Sequence, residues 1–192
     1  MLENNLREFI LKCRELGYLV KLDTNGYRPE ILREFLEEKI LDYVAMDIKA
    51  SPENYSRVSG CPEFDMKRIR ESIRMLQTSG ILYEFRTTTV KGIHTVEEFE
   101  EIGKLLAGSK VYYLQAYQDS GDILGIRKSS NQGEKKAIQR VKSDMQEEES
   151  NFAEPGSNPV CRSLSAFSKQ EMEQMAALAG KYIDKVVLRG VE

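Results

Sequence analysis

Patterns typical of short strands alternate with patterns typical of amphipathic helices along this chain, and the alternation limits the folds available to it. The first unit is a predicted buried strand at Tyr18–Asp23, a turn at Asn25-Gly26 and a helix at Pro29–Glu38. Asparagine and glycine tolerate the positive φ of a turn, and proline suits the first turn of a helix. Alternating strands and helices favour a parallel sheet covered by helices. We therefore predict an α/β fold, a partial (βα) barrel of parallel strands.

The remaining units follow the same order. Helices are predicted after Thr95 and Ser168, because Glu98 and Glu171 three residues later complete capping boxes. Residues 49–62 are predicted as a long, broken loop, since two prolines interrupt them. Further strands are predicted at Tyr43–Ile48, Ile81–Val90, Lys110–Tyr117 and Lys185–Arg189, and further helices at Glu3–Leu16 and from Phe64 to about Gly80.

Composition divides the chain into three parts. Residues 1–120 carry the barrel pattern, with the strand ends that would face a cofactor. Residues 121–160 are polar and rich in charge, and we predict a flexible insertion there. Residues 161–192 are predicted to form a terminal helix and strand that pack on the barrel.

Charge and cysteine content exclude several classes of function. The net charge of −3 does not favour nucleic acid or an anionic membrane, and no apolar run is long enough to span a bilayer. The first residues lack a signal-peptide pattern, so we expect a cytoplasmic protein. The three cysteines at positions 13, 61 and 161 form no Cys-x-x-Cys pair. The one histidine, His94, rules out a site that needs two, and it is expected in an exposed loop.

Charged residues follow or interrupt three predicted strands where the strands end. Asp23 and Asp47 could bind a cation, an ammonium group or a ribose hydroxyl, and Lys49 and Arg86 could bind a carboxylate or a phosphate. The alternative is structural: Asp23 would form an Asx-turn with its own loop, and Asp47 would balance Lys49. Arg86 interrupts an apolar strand, so it must face a polar cavity or be paired. Gln115 would serve as a neutral ligand-binding amide or as a satisfied buried amide.

Three stretches resemble radical S-adenosylmethionine activating enzymes: Leu22-Asp23-Thr24-Asn25-Gly26, Asp42-Tyr43-Val44-Ala45-Met46-Asp47-Ile48-Lys49 and Phe85-Arg86-Thr87-Thr88-Thr89-Val90. The most similar branch is the anaerobic ribonucleoside-triphosphate reductase activating protein, and the pyruvate formate-lyase activating enzyme is a relative. The resemblance covers Leu6–Tyr117 and, less closely, Ser168–Gly190. The order and spacing of the three stretches carry it, since each stretch alone is common.

The resemblance implies a partial (βα) barrel with S-adenosylmethionine across the carboxyl ends of the strands, where it chelates a 4Fe–4S cluster. It implies that Asp23 holds the polar end of the cofactor or an associated cation. Lys49 and Arg86 would lie near the methionyl carboxylate, and Gln115 near the cofactor. No catalytic residue and no metal ligand is predicted. The predicted cofactor-binding set is Asp23, Asn25, Asp47, Lys49, Arg86 and Gln115.

The chain also departs from the family pattern. The motifs Cys-x-x-x-Cys-x-x-Cys, which holds the cluster, and Gly-Gly-Glu-Pro, which binds the methionyl amine, are absent from these 192 residues. We therefore expect a carboxyl-terminal portion that lacks the amino-terminal strand or strands of the barrel. It would bind S-adenosylmethionine and be inactive alone, and the 4Fe–4S cluster would belong only to a complete enzyme.

Two other functions remain open at this point. One is a non-catalytic interaction domain of the same fold, which docks a partner protein or half-barrel. The other is an unrelated partial-barrel enzyme that uses Asp23, Asp47 and Lys49 on a phosphorylated or carboxylated substrate. The partners expected for an activating enzyme are a glycyl radical enzyme or a separate amino-terminal half. Self-association is expected as well, because Tyr18–Leu22 would form an uncovered edge of the sheet with a single charge, Lys21.

Overall fold

The sheet consists of five parallel strands that lie side by side in chain order. The structure is a computed structural model, and it describes residues 5–61, 63–118 and 164–191. Within these ranges β1 pairs only with β2 and β5 only with β4, so the sheet is open and the predicted α/β fold with parallel strands is confirmed. The strands are β1 (Lys21–Thr24), β2 (Tyr43–Asp47), β3 (Leu82–Thr89), β4 (Tyr112–Ala116) and β5 (Val186–Arg189).

Helices supply the crossover connections that neighbouring parallel strands require. The predicted helices are present with small shifts at their ends. The predicted polar insertion, residues 121–160, and Cys161 lie outside the described residues. The helices are α1 (Leu6–Glu15), α2 (Pro29–Glu37), α3 (Tyr55–Ser59), α4 (Met66–Thr78), α5 (Glu98–Leu105) and α6 (Lys169–Ala179).

The first strand begins three residues later than predicted, and the prediction that it is buried is wrong. Tyr18 and Leu19 are 65% and 83% exposed. Pairing starts at Val20, whose N–H donates to the Asp42 carboxylate at 2.7 Å and whose carbonyl accepts from the Asp42 N–H at 2.9 Å. The strand cannot begin earlier because β2, its neighbour, begins only at Tyr43.

Two local predictions in the connections are also wrong. The predicted loop at residues 49–62 contains α3, which ends at Gly60 with a φ of 69°. Helix α5 begins at Glu98 behind Glu97, and no side chain caps it, so Thr95 does not form the predicted capping box. The Glu98 carboxylate is used elsewhere: its Oε1 accepts from the N–H and the hydroxyl of Ser51, each at 2.8 Å.

The two faces of the sheet differ in chemistry because alternate residues of a strand point to opposite sides. One face joins the helices in a single apolar cluster, and it contributes Val44, Met46, Tyr83, Phe85, Tyr112 and Leu114. The other face carries charged and polar side chains in register. At Gly103 in α5 a Cβ would lie 2.9 Å from the Ala179 Cα, so glycine permits the close packing of α5 on α6.

A buried carboxylate lies in the middle of the polar face. Glu84 on β3 is 2% exposed and accepts two hydrogen bonds from Arg189, at 3.0 and 3.3 Å, and one from the Tyr43 hydroxyl at 3.1 Å. Strand β4 separates β5 from β3, and the Arg189 guanidinium passes over it, 3.3 Å from the centre of the Tyr113 ring. Burial alone raises the pKa of Glu84, but the hydrogen bonds from Arg189 and Tyr43 outweigh it, and the pKa lies below its ordinary value.

We predict that Arg189→Met lowers the free energy of unfolding by about 2–3 kcal/mol at neutral pH. Unpairing a buried charge costs about 3–5 kcal/mol, and here Tyr43 and Lys21, 3.6 Å away, remain as partners. The pKa of Glu84 is depressed in the folded protein, so its stabilisation is present above the ordinary value of 4.5 and is lost as the pH falls through the folded value. The penalty of the variant should therefore shrink in acid.

Urea unfolding between pH 3 and pH 7, roughly the range in which carboxylates titrate, measures this dependence. Arg7→Met is the matched control, because it removes an exposed pair with Glu38 and should cost much less than Arg189→Met. A penalty for Arg189→Met that stays constant across the pH range would contradict the role given to Glu84.

A second prediction separates the two sequence-predicted caps. The Ser168 hydroxyl accepts from the Glu171 N–H, and the Glu171 carboxylate accepts from the Ser168 N–H at 2.8 Å, so the capping box of α6 is formed. Ser168→Ala should lower the free energy of unfolding by about 0.5–2 kcal/mol. Thr95→Ala, the control, should leave it unchanged because no cap is lost. Thermal and urea unfolding of both variants decide, and equal losses would contradict the assignment.

Candidate functional site

Four charged residues meet where β1 and β2 end beside the middle of the longer β3. Asp47 and Arg86 face each other in register on neighbouring strands, and the Arg86 Nε donates to Asp47 Oδ1 at 2.5 Å. The Arg86 Nη2 donates to Asp23 Oδ2 at 2.8 Å, so one guanidinium joins two carboxylates. The Lys49 ammonium donates to Asp47 Oδ2 at 3.0 Å. We call Asp23, Asp47, Lys49 and Arg86 the strand-end cluster.

The electrostatics of the strand-end cluster follow from partial burial and pairing. Burial raises the pKa of Asp47, but the hydrogen bonds from Arg86 and Lys49 outweigh it and hold the pKa below its ordinary value. Burial lowers the pKa of Arg86, and the hydrogen bonds to Asp47 and Asp23 outweigh it, so the pKa is raised. Asp47 and Arg86 therefore stay charged at neutral pH.

The cluster resolves the structural alternatives for its members. Arg86 is paired, as its place in an apolar strand requires, and its side chain is only 18% exposed. Asp47 forms an ion pair with Lys49, as the structural alternative predicts. Asp23 forms no turn with its own loop; instead the Thr24 hydroxyl accepts from the Gly26 N–H at 3.1 Å, and the Asn25 carbonyl oxygen Oδ1 accepts from the Tyr27 N–H at 3.0 Å.

Asn25 and Lys49 also line a cleft of about 380 Å³ beside the strand-end cluster. Its wall is aromatic: the Phe64 ring stacks between the rings of Tyr27 and Tyr55, with centroid distances of 4.8 Å on both sides. The turn that presents Asn25 needs its glycine, because Gly26 has a φ of 70° and a Cβ there would lie 2.0 Å from the Met46 Cε. The remaining lining residues are Val58, Ser59 and Cys61.

Gln115, the sixth predicted site residue, lies apart from the cluster. It is on β4, in register with Thr88 of β3 and Arg189 of β5, and its side chain is half-buried. It shares the polar face of the sheet with Asp47 and Arg86. The structure thus brings together Asp23, Asp47, Lys49 and Arg86, places Asn25 at their edge and leaves Gln115 one strand beyond.

His94 contradicts the sequence prediction, since it is 6% exposed rather than solvent-exposed. Its Nδ1 accepts from the Val90 N–H at 3.1 Å, and its Nε2 lies 2.9 Å from the Lys49 carbonyl. Tyr55 was not predicted as a site residue either, and its hydroxyl accepts from the Lys49 N–H at 3.2 Å. Tyr55 follows Lys49 by six residues, whereas His94 reaches it from 45 residues away, a distance over which no local pattern signals a contact.

The described ranges contain no group of three or more His, Cys, Asp or Glu side chains arranged to hold a metal ion. Cys13 and Cys61 are both free thiols. Among the helices of the described part, none is long and apolar enough to cross a membrane.

The amino-acid sequence of the chain is similar to that of a known protein. No protein-family model matches the chain. A protein of Methanocaldococcus jannaschii, assigned as a glycyl-radical enzyme activating enzyme, is 26% identical over 182 residues, which are 93% of this chain. The chain spans 62% of the length of that relative.

A solved structure has a similar fold. The crystal structure of a domain of a pyruvate-formate lyase-activating enzyme from Bacteroides vulgatus superimposes with a TM-score of 0.61 at 14% identity. The match covers 96% of this chain and 89% of that domain. The chain is therefore similar in sequence to a glycyl-radical enzyme activating enzyme, and it shares the fold of the pyruvate-formate lyase-activating enzyme domain.

Proposed function

We propose that this chain is the part of a glycyl-radical enzyme activating enzyme that binds S-adenosylmethionine at its strand ends. The convergence of Asp23, Asp47, Lys49 and Arg86 at the carboxyl edge of a parallel sheet carries the proposal, because ligands of α/β folds bind at that edge. The resemblance to radical S-adenosylmethionine activating enzymes identifies the ligand, and the strand-end cluster contains charged groups that can bind it.

The residues present fit the charges of this cofactor. Its methionyl group has a carboxylate, which the Lys49 ammonium can bind, since that side chain is 46% exposed. Its amine, or a cation beside it, can be bound by Asp23, which is 53% exposed. Arg86 uses two of its five N–H donors on Asp23 and Asp47 and so orients both carboxylates. The polar face of the sheet, with Gln115, offers further hydrogen bonds.

When it is bound with an iron–sulfur cluster, S-adenosylmethionine supplies radical chemistry. The cysteines at positions 13, 61 and 161 do not have the Cys-x-x-x-Cys-x-x-Cys spacing that holds the cluster in this family. We infer that these 192 residues bind and orient the cofactor and are inactive alone. The protein acted upon would be a glycyl radical enzyme resembling the anaerobic ribonucleotide reductase.

We predict weak binding of S-adenosylmethionine that depends on the strand-end cluster. Lys49→Ala should weaken it by about 10-fold or more, because a hydrogen bond to a charged group contributes about 1.5–3 kcal/mol. Arg86→Met should weaken it as well, since Asp23 and Asp47 would lose the cation that orients them. Isothermal titration calorimetry with S-adenosylmethionine gives the dissociation constants.

Lys110→Ala is the matched control, because that exposed lysine precedes β4 at the opposite end of the sheet. It should bind as the wild type does. Methionine and adenosine, titrated separately, show which half of the cofactor the cluster recognises. Tight binding that Lys49→Ala and Arg86→Met both leave unchanged would refute the proposed site.

A second proposal concerns the uncovered edge of the sheet. Among the described residues β1 has one paired edge, and large apolar side chains in the segment that precedes it in the chain are exposed. Phe9 on α1 and Leu16 after it are 63% and 75% exposed, and Tyr18 and Leu19 just before β1 are exposed as well. Unpaired strand edges favour association, and burying one such side chain contributes about 1.5–3 kcal/mol. We propose that this edge binds a second copy of the chain or a separate half-barrel.

We predict that the purified chain self-associates and that Leu19→Lys reduces the association. Lysine on an edge opposes strand pairing and removes exposed apolar area. Light scattering over a concentration series gives the mass. Leu82→Lys is the control, since Leu82 is 69% exposed but lies on β3, away from the open edge. A monomer at every concentration would contradict the proposal.

A further inference from the structure

The main chain of Lys49 is fixed at both of its polar groups by side chains from elsewhere in the fold. Its N–H donates to the Tyr55 hydroxyl at 3.2 Å, and its carbonyl lies 2.9 Å from the His94 Nε2. Burial raises the pKa of the Tyr55 hydroxyl to about 12, so it stays protonated and lies 3.4 Å from the Asp47 carbonyl.

The hydrogen bonds of His94 define the state of its ring. A nitrogen that accepts from a main-chain N–H must carry a lone pair, so Nδ1 is unprotonated opposite Val90. The proton then lies on Nε2, which donates to the Lys49 carbonyl. The imidazole is therefore neutral, and it links the end of β3 to the residue that follows β2 by two.

The first residue of α5 holds the same loop at a second point. Glu98 Oε1 accepts from the N–H and the hydroxyl of Ser51 at 2.8 Å and from Asn54 Nδ2 at 3.2 Å. The loop after β2 thus has little freedom to move. What remains free is the Lys49 side chain, which is 46% exposed and bound to Asp47 alone within the described part of the chain.

We propose that His94 is a positioning residue, which fixes the main chain of Lys49 and with it the region that the Lys49 ammonium can reach, and so sets the affinity of this chain for the carboxylate of its ligand. The ligand part of this inference rests on the proposed function. His94 touches no ligand group itself: its two ring nitrogens are both used by main-chain atoms. It acts through Lys49, in the way that a hydrogen-bonded neighbour orients a metal-binding histidine.

Nuclear magnetic resonance of the imidazole tests the geometry first. The chain contains one histidine, so protein labelled with ¹⁵N only in histidine reports His94 alone. At neutral pH we expect a single tautomer with the proton on Nε2 and a lone pair on Nδ1. A proton on Nδ1, or a mixture of tautomers, would overturn the proposal.

Two variants then test the effect on binding. His94→Phe keeps a ring that can pack on Phe99, whose centroid is 5.8 Å away, and removes both hydrogen bonds. It should weaken binding of S-adenosylmethionine by about 3- to 10-fold, the equivalent of one net hydrogen bond. His94→Gln supplies one donor and one acceptor and should recover part of the loss. Tyr83→Phe, the control, removes a buried hydroxyl that bonds to Lys110 away from the cluster and should bind as the wild type does.

A double-mutant cycle separates positioning from a loss of stability. In a Lys49→Ala background, His94→Phe should change the affinity by less than about 2-fold, because the group it positions is gone. An equal loss in both backgrounds would show that His94 does not act through Lys49. Should His94→Phe fail to fold, the cycle is run with His94→Gln.

Failure of the proposed function would be recognised separately, as a wild-type chain that binds no S-adenosylmethionine. The Lys49 ammonium then serves as the readout, in protein labelled with ¹⁵N in lysine. His94→Phe should shift or broaden its signal, and Tyr83→Phe should not. A Lys49 signal unchanged by His94→Phe would overturn the positioning role whether or not the cofactor binds.

Discussion

The guanidinium of Arg86 holds together the three strands on which the candidate site is built. It lies on β3, bonds to Asp47 of β2 and reaches Asp23 of β1, which places a cation between two carboxylates. An arginine that is only 18% exposed must be paired, and Asp47 can pair with it only because the two residues are in register. Strand register, charge balance and the geometry of the site therefore depend on one another.

Much of the fold and part of the site could be predicted because the signals are local. Apolar periodicity reports which face of a strand or helix is buried, and the parallel sheet follows from the order of elements. The carboxyl ends of neighbouring parallel strands meet, so Asp23, Asp47, Lys49 and Arg86 could be grouped from their positions alone. The start of β1 could not, because pairing there depends on Asp42, 22 residues after Val20.

The residues that sequence reasoning missed are those whose partners are distant. Glu98 looks like half of a capping box with Thr95, yet its carboxylate bonds to Ser51, 47 residues before it. His94 looks like an exposed loop residue, and its ring bonds to Lys49 across 45 residues. Local propensity is a weak guide wherever tertiary hydrogen bonds compete for the same side chain. Here the side chains of Glu98 and His94 both bond to the loop after β2.

In the strand-end cluster the Arg86 side chain is held in place, whereas the Lys49 side chain can move. Arg86 bonds to two carboxylates and is largely buried, so drawing it away would remove a hydrogen bond from both Asp23 and Asp47. The pair of Lys49 with Asp47 is half-exposed, and pairs of that kind contribute only about 0–1 kcal/mol. A ligand carboxylate can therefore recruit the Lys49 ammonium at little cost, while Arg86 keeps Asp23 and Asp47 in place. Because His94 and Tyr55 hold the main chain of Lys49, the ammonium moves only within the reach of its own side chain.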